Sequence, residues 1–353
     1  MISKILGGAL VASLLVLPLC ARAQTTAPAY RVAQTWHLSG DGGWDYLTLD
    51  APAKRLYIAR GSRVQVLDTT NGNLVGEVLG LSGAHGVALD SKDNLGFATS
   101  GKTNTVLAFD LKTLKPVGEP IRVGQKPDFV LFEPSQKRVW AFNGGEEGEG
   151  AQSVSVIDPA TRKVVQTIAL GSDPEAAVAD GKGGVWVNLE DTSELAHLDA
   201  ATGKVLDRHS LAPGEGPTGL ALDVANGRLF SGCANKTMVV SDAQTGKIIG
   251  TVPIGAGVDA ARFDATRQVA LASCGRDAVL SLVKVVDGKV QAAGTVSTHS
   301  GARTMELDPT TGEVYLVAAD YEPAAPTLPG VKAKRPKAVP GSVVVLKLVP
   351  ASK

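Results

Sequence analysis

Short apolar segments that end in an acidic residue recur along the chain at nearly constant intervals. Six of them are Tyr46–Asp50, Val87–Asp90, Ala177–Asp180, Leu220–Asp223, Ala261–Asp264 and Met305–Asp308. A seventh copy, Phe129–Glu133, fills the gap between the second and the third. Apolar and polar positions that alternate over four to six residues between Gly, Asp and Asn turns predict β-strands.

A second predicted strand follows each of these segments and centres on an aromatic residue in six copies out of seven. The aromatic positions are Tyr57, Phe97, Trp140, Trp186, Phe230 and Tyr315, and Ala270 takes the place in the remaining copy. Successive copies lie 40, 43, 46, 44, 40 and 45 residues apart. Because the chain has only 4 Trp, 5 Tyr and 7 Phe, six in one register indicate an internal repeat.

A third predicted strand and a fourth complete the unit, and in five copies the third strand ends in an aspartate: Asp68, Asp110, Asp158, Asp199 and Asp242. Four short strands per unit of roughly 40 residues are typical of a propeller blade. The last unit has three strands, and the strand-like segment Tyr30–Leu38 supplies its fourth. We therefore predict an all-β fold, a seven-bladed β-propeller with four-stranded antiparallel blades, closed by the N-terminal strand, with the aromatic residues packed between blades.

One unit shows a more specific pattern. Val154–Asp158, Lys163–Ile168 and Gly171–Pro174 resemble the YVTN-type repeat of bacterial surface and periplasmic propellers, with Val185–Asn188 where the name-giving tetrapeptide falls. The mature chain as a whole resembles the YncE-like branch of that family. The resemblance implies a seven-bladed periplasmic propeller, and no single reaction. The sixth and seventh copies lack the aspartate that ends the third strand.

The first 23 residues have the pattern of a secretory signal peptide. Lys4 precedes an apolar run from Ile5 to Cys20, and Ala21-Arg22-Ala23 forms a small-x-small cleavage site. We expect cleavage after Ala23, which leaves residues 24–353 as one propeller domain in the periplasm or outside the cell. Lipid attachment at Cys20 is the weaker alternative, because the bulky Leu19 precedes it.

The charge balance and the motifs that the sequence lacks limit the classes of function that it could have. The 35 Lys and Arg balance the 35 Asp and Glu, so nothing global indicates binding to nucleic acid or to an anionic membrane. The sequence contains no covalent haem motif, nucleophile elbow, phosphate loop or zinc-protease helix. Cys233 and Cys274 occupy equivalent places in adjacent blades, too far apart for a disulfide, and we expect free thiols.

The residues that open the first strands should ring one end of the central channel, and these are Asp45, His85, Asp128, Glu175, Thr218, Asp259 and Arg303. Loops between the second and third strands reach the same face and bring Arg60, Asn143, Asn188, Glu190, Asp191, Cys233, Arg276 and Asp320. This concentration of charge predicts a ligand-binding funnel. The alternative is that the side chains pair with one another, for instance Arg303 between Asp259 and Asp45. For a divalent cation, the candidate ligands are His85, Asp128, Glu175 and Asp259.

Two enlarged loops on this face are candidate partner contacts. Residues 144–150 are acidic, and residues 321–341 are rich in proline and carry four basic residues: Lys332, Lys334, Arg335 and Lys337. Long insertions on one face of a repeat fold tend to form the binding face.

Three functional hypotheses remain open on the sequence. The first is an exported, non-enzymatic binding or scaffold protein that holds a small ligand or a partner protein at the funnel. The second is a metal-dependent hydrolase or lactonase with a divalent cation at the channel mouth, by analogy with six-bladed propellers. The third is nucleic-acid binding through the basic loop.

Overall fold

The computed structural model describes residues 30–40, 42–145, 150–323 and 337–351, and the regular secondary structure of this part is entirely β-strand. The signal peptide predicted at residues 1–23 lies outside it, so export stays a prediction. In chain order the strands are β1 (Tyr30–His37), β2 (Leu47–Asp50), β3 (Arg55–Ala59), β4 (Gly61–Asp68), β5 (Leu74–Asp90), β6 (Leu95–Ser100), β7 (Thr105–Asp110), β8 (Ile121–Arg122), β9 (Pro127–Glu133), β10 (Arg138–Asn143), β11 (Ser153–Asp158), β12 (Lys163–Ala169), β13 (Pro174–Ala179), β14 (Gly184–Leu189), β15 (Glu194–Asp199), β16 (Val205–Ser210), β17 (Pro217–Asp223), β18 (Arg228–Cys233), β19 (Thr237–Asp242), β20 (Ile248–Pro253), β21 (Val258–Asp264), β22 (Val269–Cys274), β23 (Val279–Val286), β24 (Lys289–Ser297), β25 (Thr304–Leu307), β26 (Val314–Ala318) and β27 (Val344–Pro350).

These strands form five four-stranded antiparallel sheets and one seven-stranded sheet. In the seven-stranded sheet, the first half of β5 pairs with β4 and its second half pairs with β6. β5 is therefore the outer strand of blade 1 and the inner strand of blade 2, and the described strands make seven blades. Blades 3 to 6 are β9–β12, β13–β16, β17–β20 and β21–β24, and blade 7 is β25, β26, β27 and β1. The predicted seven-bladed propeller is confirmed.

The N-terminal strand closes the ring as the sequence predicts. β1 pairs antiparallel with β27, from Tyr30 opposite Pro350 to His37 opposite Val344. Tyr30 is fully buried, and its hydroxyl donates a hydrogen bond to Asp264 Oδ2 of blade 6 at 2.5 Å. Because the last blade takes its outer strand from the start of the chain, the ends of the ring are held by a hydrogen-bonded sheet.

The aromatic column packs in the core, and the role predicted for it is confirmed. All six aromatic residues are buried. Trp140 of β10 lies in one apolar cluster with Val185 and Val187 of the next blade, and Phe230 of β18 lies in one with Ala270 and Ala272. Each large ring thus fills the space between two adjacent sheets, where it buries the most apolar surface.

The acids that mark the repeat are turn caps. Asp158, at the end of a third strand, accepts hydrogen bonds at Oδ1 from the backbone N–H and the hydroxyl of Thr161, at 2.9 and 3.1 Å. Glu133, at the end of an inner strand, accepts the backbone N–H groups of Ser135 and Gln136 at 2.9 and 2.8 Å. Since such side chains satisfy backbone donors in tight turns, the periodic acids stabilise the fold.

Within residues 30–40, 42–145, 150–323 and 337–351, no helix has the length and apolar character needed to cross a membrane.

Candidate functional site

The inner strands bring the predicted funnel residues to one end of the channel. Consecutive inner strands contact each other around the ring, including β2 with β25 across the closure. Asp128, Glu175, Thr218 and Asp259 are each the second residue of an inner strand, and Arg303 directly precedes one. Asp45 precedes β2, and His85 begins the half of β5 that belongs to blade 2. All seven side chains are partly exposed.

A network of ion pairs crosses five blades at this end. The Arg303 guanidinium pairs with Asp259, approaches Asp45 Oδ1 to 3.5 Å and donates to the Trp44 carbonyl at 2.9 Å. On the other side of Asp45, His85 Nδ1 lies 2.7 Å from Asp45 Oδ2 and 3.6 Å from Asp128 Oδ1. Arg303 therefore pairs with Asp259 and Asp45, as expected under the alternative in which the funnel side chains pair with one another.

Burial sets the ionisation of this network. It raises the pKa of Asp128 to about 7, and the negative charge of Asp45 adds to the effect. Burial lowers the pKa of His85, but the hydrogen bond to Asp45 and the charge of Asp128 outweigh it, so the net shift is upward. For Arg303, burial lowers the pKa, and the charges of Asp259 and Asp45 more than compensate. Protons are therefore held more tightly at Asp128 and His85 than in the unfolded chain.

These pKa shifts predict how the free energy of unfolding changes with pH. A group whose pKa is raised on folding stabilises the native state below its unfolded pKa, and that stabilisation is lost as the pH rises through its folded pKa. For Asp128 the window runs from about pH 4 to about pH 7, and His85 has the same sign. Between pH 5 and pH 8 we expect the free energy of unfolding to fall by about 2 kcal/mol more in the wild type than in Asp128→Asn. Urea denaturation at several pH values measures this.

Asp158→Asn is the matched control for this experiment. Hydrogen bonds from the Thr161 backbone lower the pKa of Asp158, so this carboxyl releases its proton at more acid pH. The control should retain the wild-type dependence between pH 5 and pH 8. Equal slopes in the wild type and Asp128→Asn would contradict the assignment.

A second group of carboxylates lies on blade 4. Single carboxylate oxygens of Asp173, Glu175 and Glu190 come within 4.8 Å of one another. Burial raises the pKa of Glu175 well above its ordinary value, and the charges of Asp128, Asp259 and Glu190 add to it. The Tyr46 hydroxyl of blade 1 reaches Glu175 Oε2 at 3.3 Å.

The Tyr46 side chain reaches across the channel. It extends from blade 1 to Glu175 on blade 4, on the opposite side of the propeller. The phenol ring packs edge-on against Phe129 of blade 3, with ring centroids 5.1 Å apart. A cavity of about 1060 Å³ lies at the funnel end, and a smaller one of about 500 Å³, which Tyr46 lines, lies along the inner strands towards the opposite face.

The larger cavity is the best-formed candidate site. Its wall includes Glu175, Glu190, Thr218, Asp259 and Arg303 from the predicted set. The wall also includes Arg276, which the sequence places on a loop of this face, and two residues that the predicted funnel set lacks, Trp44 and Tyr321. The sequence offered a weak signal for Trp44, since it stands next to Asp45, but its contact with the loop at Tyr321 could be seen only in three dimensions.

Four of the predicted residues hydrogen-bond to other parts of the protein, and two of them, Thr218 and Asn188, join adjacent blades. The Thr218 hydroxyl donates to the Val258 carbonyl of blade 6 at 2.9 Å. Asn188, fully buried, donates to the Gly219 carbonyl at 3.1 Å and accepts from the Ser231 hydroxyl at 2.9 Å. Asn143 is also fully buried and donates to the hydroxyls of Ser153 and Ser155, and buried Arg60 donates to the Gly40 carbonyl. Burial keeps Arg60, Asn143 and Asn188 from direct contact with a ligand at the surface.

The predicted cation ligands are divided between separate groups. His85 and Asp128 join Asp45, with one ligand atom from each within 4.8 Å of the others, while Glu175 joins Asp173 and Glu190. Asp259 faces Arg303. Oxygen ligands in the blade 4 group suit a hard cation, whereas Arg303 next to Asp45 adds a repelling positive charge to the group at His85.

Both cysteines lie within the described residues, whereas the two enlarged loops do so only in part. Cys233 and Cys274 are free and fully buried, and burial raises the pKa of Cys233 to about 12, so neither presents a reactive thiolate. Lys337 lines the larger cavity. Lys332, Lys334, Arg335 and residues 146–149 lie outside the described residues, so the proposed partner contacts and nucleic-acid binding stay predictions.

Comparison with known proteins bears on the fold alone. No protein-family model matches the chain, and no curated protein matches it. Among solved structures, the crystal structure of RRP9 WD40 repeats is similar to this chain, with a TM-score of 0.73 at 9% sequence identity over 91% of this chain and 99% of that one. A likeness at this identity shows that the chain has a β-propeller fold.

Proposed function

We propose that this chain is an exported, non-enzymatic binding or scaffold propeller of the YVTN-repeat, YncE-like type, which holds a small ligand or a partner protein at the funnel face. The observation that carries the proposal is the cavity of about 1060 Å³ at the funnel face. Its volume is at the upper end of the range for small-molecule sites, and polar groups from blades 4, 6 and 7 converge on it.

The chemistry of the funnel favours binding over catalysis. A histidine base needs a nucleophile or a substrate proton within hydrogen-bond reach. Within the described residues, the groups that His85 Nδ1 meets are the carboxylates of Asp45 and Asp128, and no serine, threonine or cysteine side chain is hydrogen-bonded to this imidazole. Turnover in a broad hydrolase and oxidase panel that is lost in Glu175→Ala would overturn the non-enzymatic part of the proposal.

Two alanine-to-tryptophan variants in blade 5 test the site. Ala234 is exposed and lines the cavity, whereas Ala225 is exposed in the turn at the other end of β17, on the opposite face. In a thermal-shift panel of amines, amino acids, peptides, carboxylates, nucleotides and sugars, compounds that stabilise the wild type should stabilise Ala225→Trp equally and Ala234→Trp much less. Equal stabilisation of both variants, or no stabilising compound, would refute a funnel-face site.

A metal-dependent hydrolase is the second candidate, because Asp45, His85 and Asp128 offer three ligand atoms within 4.8 Å of one another. These residues could hold a divalent cation that activates water. Elemental analysis after dialysis should then find one equivalent of metal that Asp128→Ala loses. Absence of stoichiometric metal, together with no thermal stabilisation by calcium, magnesium, manganese or zinc, would exclude this candidate.

A further inference from the structure

The charged side chains around the larger cavity are separated by sign. Glu175 and Glu190 enter its wall from blade 4, while Arg276 follows β22 of blade 6 and Lys337 precedes β27 of blade 7. Among the ion pairs of the described residues, none involves these four side chains. Arg303 and Asp259, also in the wall, pair with each other. The cavity therefore has an acidic side and a basic side.

An aromatic wall adds apolar surface and one unsatisfied donor. The rings of Trp44 and Tyr321 pack at 6.2 Å between centroids, and both residues line the cavity. Trp44 is only 7% exposed, and its indole N–H donates to no acceptor among the described residues. Buried indole N–H groups ordinarily find a partner, so this nitrogen lacks the hydrogen bond that its burial calls for.

We propose that the funnel binds a zwitterionic ligand of the peptide class, with its amino group at Glu175 and Glu190 and its carboxylate at Arg276 and Lys337. This proposal rests on the proposed function, since it names the ligand of the same site. Trp44 and Tyr321 provide the surface for an apolar side chain. A volume of about 1060 Å³ accommodates a short peptide better than one amino acid.

The electrostatics of the acidic side agree with a cationic group there. Glu175 faces Tyr46 from blade 1, Asp128 from blade 3 and Asp259 from blade 6, with Asp173 and Glu190 on its own blade. Burial and these negative charges raise the pKa of Glu175. An ammonium group would reverse the shift, because an opposite charge favours the ionised carboxylate. Binding should then lower the pKa of Glu175.

The experiment uses a random tripeptide mixture in four forms: free, N-acetylated, C-amidated, and blocked at both ends. Equilibrium dialysis with mass spectrometry measures how much of each form the protein retains. We expect the wild type to retain the free form, and blocking either end to weaken binding by about tenfold or more, since each block removes a charge-assisted hydrogen bond. In Glu175→Gln, N-acetylation should hardly reduce retention further, while C-amidation should reduce it as in the wild type. In Arg276→Gln, C-amidation should hardly reduce retention further, while N-acetylation should reduce it as in the wild type.

A thermal melt verifies the fold of each variant, and Glu190→Gln replaces Glu175→Gln if that variant is unfolded. Retention that is indifferent to both blocks, or no retention of any form, overturns the inference. If other panel compounds still bind in a manner that Ala234→Trp abolishes, the proposed function stands while the zwitterion assignment falls. Free amino acids are zwitterions too, so the same dialysis is run in parallel with the twenty free amino acids. If the protein retains free amino acids in preference to tripeptides, the peptide assignment is overturned.

Discussion

Replacing Tyr30 with alanine should destabilise the propeller by about 3–5 kcal/mol, the range for removing a fully buried aromatic ring. Tyr30 is 0% exposed and packs in a cluster with residues of blades 6 and 7, among them Leu271 and Leu346. Its hydroxyl also donates to Asp264 in blade 6. The variant therefore loses packing and a hydrogen bond at the closure of the ring. Urea denaturation at pH 7 measures the loss.

Val32→Ala is the control for Tyr30→Ala. Val32 lies two residues further along β1 and is 38% exposed, so its truncation should cost less than about 1 kcal/mol. Tyr30→Phe separates the two contributions, because it keeps the ring and removes the hydroxyl; Asp264 still pairs with Arg267 at 2.9 Å. If Tyr30→Ala were no more destabilising than Val32→Ala, β1 would not be essential to the closed ring.

Arg303→Met should cost about 2–3 kcal/mol, somewhat below the effect of breaking a fully buried ion pair because the side chain is 28% exposed. Methionine leaves Asp259 and Asp45 facing each other without the cation between them, and the Trp44 carbonyl loses its donor. The loss should be larger at pH 8 than at pH 5, because Asp128 is also ionised above its pKa of about 7 and adds repulsion.

Arg276→Met is the control for Arg303→Met, because it makes the same chemical change on the same face. The Arg276 side chain is exposed and takes part in no ion pair of the described residues. We expect this control to alter the free energy of unfolding by less than about 0.5 kcal/mol. Comparable losses in the two variants would show that the Arg303 network contributes nothing beyond a surface charge.

The fold could be predicted because its sequence signals come from local physics repeated seven times. An acid that caps a turn, such as Asp158 or Glu133, must stand at a fixed distance from the strand it ends. A ring that fills the space between sheets, such as Trp140, must recur in each unit. The position of the funnel followed from the same register, since Asp128 and Glu175 open equivalent strands.

Contacts between units could not be predicted in this way. Polar residues close together in one blade have different contacts. Asn188 turns into the protein and donates to the Gly219 carbonyl of the next blade, while Glu190, two residues later, lines the cavity. The reach of Tyr46 across the channel and the packing of Trp44 on Tyr321 depend on side-chain direction and on an irregular loop. Neither has a periodic signature.

The pairing of Tyr30 with Pro350 also determines how the molecule can be displayed. Tyr30 reaches Asp264, which ends an inner strand at the face away from the funnel, so the chain enters and leaves the described ring side by side on that far face. An affinity tag, a fluorophore or a surface anchor attached on that far face would thus leave the funnel pointing outward. A sensor chip loaded through such a tag would present every copy in the orientation that the ligand measurements require.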